Sequence, residues 1–276
     1  MTFIATLIAL LMERYFHWQH LRQWSWFMRY ERWLSFRLQN LPNSVRLWIN
    51  VLPPVLIVGC ISLLLSGILY GLFTLIFGIL VLLYCLGPQN LWVEVCRYFH
   101  TINQKDSIMD IEAISTTFSF PIPETPQAFH YNFVSAIFIK ANEKVFSVLF
   151  WFVVLGPMGA VLYRLIVIFN EHIELGLSTT ALRVKQILEW LPIRVLTFLF
   201  ALGGHFTQVF HIWKNHVSKN PAANESLLTE CGIAALDVKE LDQFPETGIA
   251  EKEALSLLDR AFVIFLVILA IGVIVI

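Results

Sequence analysis

The sequence predicts an all-α, polytopic membrane protein. Three observations carry this. Hydrophobic residues make up 57% of the 276 positions and charged residues only 14%, against about 25% charge in a soluble domain. Val51 to Gly87 holds no charged residue at all. Val145 to Ile168, VFSVLFWFVVLGPMGAVLYRLIVI, carries a single charge, Arg164. Roughly 20 apolar residues cross the ~30 Å hydrocarbon of a bilayer, so stretches of this length are not soluble cores.

About five apolar helical segments can be read in order. Thr2 to Met12 is apolar but short, and no basic region precedes it, so it is expected to stay in the mature protein rather than be cleaved. Val51 to Gly87 is too long for one helix. Ser66-Gly67 offers a turn, which predicts a hairpin with arms near 51–66 and 68–87. Val145 to Ile168 is broken at Gly156-Pro157-Met158-Gly159. It reads first as a single crossing and second as a re-entrant hairpin folded back at Gly156-Pro157. Trp190 to Phe210 is apolar but includes Arg194, His205 and Gln208. Ala261 to Ile276 has no charge and reads as an anchoring tail.

The polar stretches set the expected organisation: one membrane domain over 1–276. Residues 13–50 hold six arginines, no lysine and five tryptophans, and so form the most basic stretch beside a span. The bias of basic residues toward the cytoplasm places this segment there. Within it, Phe16, Trp24, Phe27, Tyr30 and Leu34 can share one helix side, and Arg22, Arg29 and Arg32 another. An interfacial Arg/Trp-rich helix is predicted over 13–39, with its guanidinium groups on anionic lipid. Residues 88–144 and 211–260 follow as polar cytoplasmic segments, the latter partly helical around 249–260. Residues 170–189 read as a short connection, outside if 145–168 crosses once and cytoplasmic if it folds back.

Net charge is −1, and the apolar face of 13–39 is too large for a nucleic-acid surface, so no nucleic-acid partner is expected. The expected partners are the lipid bilayer and a membrane or cytoplasmic protein. Cys60, Cys85, Cys96 and Cys231 lie too far apart for a metal site and read as small packed residues. Glu13, His17 and His20 can share a helix face, but no second cluster completes a coordination shell, so no metal is assigned. No phosphate-binding glycine loop, dinucleotide fingerprint or zinc-protease motif occurs, so no cofactor is assigned and no catalytic residue can be named.

The candidate functional residues are Glu13, Arg14, Glu143, Arg164, Glu189, Arg194 and His205, with Gly156, Pro157 and Gly159 as a structural break. A charge at bilayer depth costs on the order of 3 kcal/mol and is usually paired or faces water. Arg164 and Arg194 are therefore functional candidates, with snorkelling to the membrane face as the bland alternative. Arg164 sits near the end of its span and Arg194 near the start of the next, so both are expected near the same membrane face, beside Glu171, Glu174 and Glu189. Pro192 is expected in a first helical turn, holding the Arg194 fork for an anion or carboxylate. The Gly-Pro break is expected to shape a polar cavity or a close helix crossing next to the arginines.

The run Phe138-Ile139-Lys140-Ala141-Asn142-Glu143-Lys144-Val145-Phe146, followed by LFWFVVLGPMGAVLYRL (149–165) and LEWLPIRVLTFLFALGGH (188–205), resembles the AmpE family of bacterial inner-membrane proteins. The short N-terminal span ending in Glu13-Arg14 and the apolar tail fit it too, so the resemblance runs over essentially the whole chain. It implies a multi-pass inner-membrane signalling modulator linked to β-lactamase regulation and cell-wall sensing, beside a cytoplasmic muropeptide amidase. The same blocks are distantly similar to the CobD/CbiB cobalamin-pathway ligases, which join an aminopropanol phosphate to adenosylcobyric acid using ATP. Those have an Asn-Thr-x-Asp-Ser run after the Tyr-Arg; here Arg164 is followed by LIVIFNEHIEL, and the later HPNAGxPE-type block is absent. A ligase acting on a phosphorylated amine or carboxylate is the alternative that this second resemblance implies.

Overall fold

Every regular element among the described residues is a helix. The structure is a computed structural model that describes residues 2–15, 24–38, 41–65, 71–86, 93, 95, 115–122, 125–172, 175–236 and 249–275. The chain gathers into two compact units. The first comprises Met1–Pro88 with Ser147–Glu189, the second Gln89–Phe146 with Trp190–Ile276.

The first unit opens with α1 (Thr2–Tyr15), α2 (Ser25–Arg37), α3 (Asn43–Leu65) and α4 (Leu72–Cys85). Helices α3 and α4 pack on each other as the predicted hairpin. The Ser66-Gly67 turn lies outside the described residues. α3 starts before Val51 because Asn50 returns its amide N–H to the Arg46 carbonyl at 2.8 Å, an i to i−4 bond that accommodates the polar residues inside the first turns. The helix also runs through Pro53 and Pro54. Its Leu63 and Leu64 are 75% and 76% exposed, an apolar surface suited to lipid.

The run at 145–168 is not one crossing helix. It forms α6 (Ser147–Leu155) and α7 (Pro157–His172), packed on each other. Gly156 turns the chain with φ +70°, a conformation glycine adopts without strain, and Pro157 starts α7 with its φ already set. Gly159 closes the turn: a Cβ there would lie 2.3 Å from the Trp151 carbonyl oxygen. The second reading of this segment, a fold-back at Gly156-Pro157, describes the chain; the single crossing does not. α6 follows the helix over Pro126–Ala141 and the π turn (Asn142–Phe146) without a break, so it is the end of one helical run over 126–155.

The interfacial reading of 13–39 changes in part. Phe16 and Arg22 lie outside the described residues. Trp24 and Phe27 are buried in the protein rather than left for lipid: the Trp24 ring lies tilted against Tyr84 at 4.5 Å and Phe27 meets Phe169 edge-on at 5.4 Å. Trp26 and Trp33 remain exposed.

The second unit contains α5 (Pro126–Ala141), a single π turn (Asn142–Phe146), α9 (Phe206–His216), α10 (Asn224–Ala235) and α11 (Ile249–Val275). Thr125 caps α5, its Oγ1 accepting from the Ala128 N–H at 3.4 Å, with Pro126 at the first helical position. α5 packs on α10 and α11, and α9 on α10. Gly232 allows the α5 contact, since a Cβ there would fall 2.5 Å from the Phe138 ring.

Helix α8 (Leu175–Gly203) contributes its first part to one unit and its second part to the other. Residues 175–189 are therefore helix, not a short connection. Lys185 and Glu189 hide this in the sequence by diluting the apolar signal, yet both are buried, four residues apart on one helix face. Trp190 to Phe210 is not one segment either, because α8 stops at Gly203 and α9 restarts at Phe206. Asn43–Leu65, Thr179–Gly203 and Ile249–Gly272 are long and apolar enough to cross a membrane; Phe3–Met12 and Leu72–Cys85 are shorter apolar helices.

Candidate functional site

Buried charge is concentrated at separate places in the two units. In the first unit, α7 carries Arg164 into a helix that is buried almost all round from Ala160 to Phe169. Arg164 is 5% exposed, and among the described residues its Nε and Nη1 have no hydrogen-bond partner. The nearby Cys85 thiol, at the end of α4, lies within electrostatic range of this guanidinium. Breaking or omitting the partner of a buried charge costs several kcal/mol, so an unpaired arginine here is not a neutral feature. Snorkelling does not describe it, because the head group is enclosed.

Beside Arg164 on the chain, the buried Tyr163 donates its hydroxyl to Glu189 Oε1 at 2.6 Å, and Lys185 Nζ stands 4.0 Å from the same oxygen. Glu189 is thus engaged by Tyr163 and Lys185 rather than by Arg164. Trp151 donates its indole N–H to the Leu188 carbonyl at 3.2 Å and ties α6 to α8. Gly156, Pro157 and Gly159 act as the turn that lets α6 and α7 pack. Glu13 and Arg14 fall in the last turn of α1, and their side chains lie outside the described residues, as do those of His17 and His20.

In the second unit Arg194 does something the sequence does not suggest. Nε donates to the Val217 carbonyl at 2.7 Å, Nη2 to the Lys219 carbonyl at 2.9 Å, and Nη1 to the Trp190 carbonyl at 2.8 Å and Asn224 Oδ1 at 3.0 Å. The guanidinium also lies 4.1 Å over the Trp190 ring. Four of its five N–H donors are therefore engaged within the chain. An arginine so occupied caps the end of α9 and holds the 217–220 turn against α8. Bidentate capture of an external anion does not fit this geometry. Pro192 lies well inside α8, not in its first turn.

Glu143 sits in the π turn, buried, with Lys140 Nζ 3.0 Å from its Oε2; Asn142 and Lys144 are buried beside it. Single π turns inside α-helices often mark functional positions. His205 is exposed, at the N-cap of α9. Among the described residues no group of three or more His, Cys, Asp or Glu could hold a metal ion.

Sequence reasoning missed one centre. His130 Nδ1 lies 2.5 Å from Glu251 Oε1, joining α5 to α11 across 121 positions. Glu251 is fully buried, and among the described residues its Oε2 has no partner. No spacing rule links residues so far apart, and the acidic 211–260 stretch reads as solvated. Cys231 of α10 is also buried, and burial, reinforced by the Glu230 charge, pushes its thiol up to about 12. Cys85 and Cys231 are free and buried as expected; Cys60 is free and exposed, and Cys96 lies outside the described residues.

The comparisons with known proteins follow the same lines. Residues 1–275 match the family model described as regulatory signalling modulator protein AmpE. A cobalamin biosynthesis protein CobD of Chromobacterium violaceum is 29% identical over 111 residues, covering 38% of this chain and 36% of that protein. Another CobD, of Stutzerimonas stutzeri, is 28% identical over 106 residues, 36% of this chain and 35% of that protein. The chain thus spans only about a third of the length of the curated relatives it matches. No solved structure matches. With helical segments in the predicted order and a family match running from end to end, the chain belongs to the AmpE family of regulatory signalling modulators.

Proposed function

We propose that the protein is a multi-pass inner-membrane modulator that couples the state of the cell wall to β-lactamase expression, acting through a membrane or cytoplasmic protein partner rather than by catalysis. The observation that carries the reading is the family match over residues 1–275. The local geometry is compatible with it: Arg194 is engaged with backbone carbonyls, and the His130–Glu251 pair ties two helices together. The test is deletion of the gene followed by measurement of β-lactamase activity after exposure to a β-lactam inducer. Induction that changes on deletion and returns with the wild-type chain supports the reading; unchanged induction refutes it.

The CobD relatives favour a second reading, a membrane-bound ligase acting on a phosphorylated amine or carboxylate. Purified protein in lipid nanodiscs, assayed for ATP turnover with aminopropanol phosphate and a carboxylic acid, separates the two. Turnover above that of an Arg164→Leu variant supports the ligase.

A further inference from the structure

We infer that the first unit binds an oxyanion at Arg164. This inference is independent of the regulatory reading, because it concerns a ligand and not the pathway. The enclosed guanidinium has two nitrogens, Nε and Nη1, without a hydrogen-bond partner among the described residues. Among the described residues no acidic side chain pairs with it. Glu189 takes the Tyr163 hydroxyl and faces Lys185, and Glu31 accepts from Ser35.

The surroundings favour an added anion over solvent. Arg164 is 5% exposed, and its neighbours on α7 are apolar. Contacts within the unit fix the level at which it sits. Gly78 of α4 faces Pro157, and Cys85 lies near Arg164, so α4 and α7 run alongside each other in step. Arg164 therefore lies level with the C-terminal end of α4. That end carries a partial negative charge of about half an elementary unit, which offsets the guanidinium only in part. A planar guanidinium with open donors matches carboxylate and phosphate oxygens. The oxyanion can come from a lipid headgroup or from a soluble phosphate or carboxylate.

The full-length protein in nanodiscs of neutral phosphatidylcholine provides the test. Its unfolding midpoint is followed in chloride, in inorganic phosphate and in acetate at equal ionic strength, and in nanodiscs that also contain phosphatidylglycerol. A saturating oxyanion should raise the wild-type midpoint by about 5 °C. A rise with phosphate or acetate identifies a soluble ligand; a rise only with phosphatidylglycerol identifies a headgroup. Arg164→Leu should be at least as stable as wild type in chloride and should lose the rise, while Arg164→Lys should keep part of it. No rise in any arm overturns the proposal. So does a rise that survives in Arg164→Leu, or an Arg164→Leu chain that is strongly destabilised already in chloride, since the charge would then have an internal structural role.

Discussion

Replacing Gly159 by alanine probes the turn that separates α6 from α7. The new Cβ would lie 2.3 Å from the Trp151 oxygen, 2.6 Å from Leu155 Cβ and 3.1 Å from the Trp151 carbonyl carbon. Two of these three atoms are backbone, and Trp151 is anchored by its bond to Leu188. The neighbours cannot rotate aside, so the cost falls at the upper end of the overpacking range, about 3 kcal/mol. For a chain of this size that lowers the unfolding midpoint by about 6 °C. Two other glycines serve as internal controls. Gly156 has nothing within 4 Å of its would-be Cβ but holds φ +70°, so Gly156→Ala should cost about 1 kcal/mol from backbone strain alone. Gly272 has open space and no positive φ, so Gly272→Ala should stay within about 0.5 kcal/mol of wild type. Thermal unfolding in nanodiscs, with and without urea, ranks the three. If Gly159→Ala equals wild type and Gly156→Ala is stabilising, the chain passes through this region as an ordinary right-handed helix and the fold-back is wrong.

Three further outcomes are expected. Arg194→Lys keeps the charge but cannot reach Val217, Lys219, Trp190 and Asn224 together, so it should cost about 2 kcal/mol and speed amide hydrogen exchange around 217–220; unchanged exchange refutes the capping role. His130→Ala should destabilise by about 3 kcal/mol by leaving Glu251 buried without its partner, and the His130→Ala, Glu251→Gln double variant should recover much of that loss; strictly additive effects would show that the pair does not interact. Cys231 should resist alkylation in the folded protein at pH 8, since its thiol stays protonated up to about 12. Because its folded pKa is raised, the folded state holds more protons than the unfolded one above pH 9. Cys231 should therefore lower stability by up to about 1.4 kcal/mol per pH unit from pH 9 toward 12. Comparison with Cys231→Ala, which should lack that part of the slope, measures it.

Much of the architecture is legible in the sequence because the bilayer imposes length and apolarity on each segment. The uncharged 51–87 run implies a hairpin, and the apolar tail implies a long final helix. The break at Gly156 is visible as well, since a left-handed turn favours glycine and proline suits a helix start. What the break does is not visible. One sequence can turn or kink there, and the choice rests on whether α6 finds a partner. Here it packs on α7 through the space that Gly159 leaves open.

The candidate site follows the same division. Residue type alone marked Arg164 and Arg194 as costly charges in apolar helices, and it marked both equally. Hydrogen-bond partners come from other segments, so only the tertiary structure separates them: Arg194 meets carbonyls from 217–219, while Arg164 Nε and Nη1 meet no acceptor among the described residues. The His130–Glu251 pair was invisible for the same reason, being made when α5 packs on α11. Sequence by itself determined the membrane class, the hairpin over the uncharged run, the apolar final helix and the family, because hydropathy and local backbone preference act over a few turns of chain. The pairing of buried charges was decided by tertiary packing, because electrostatic and hydrogen-bonding energies depend on distances between residues far apart in sequence.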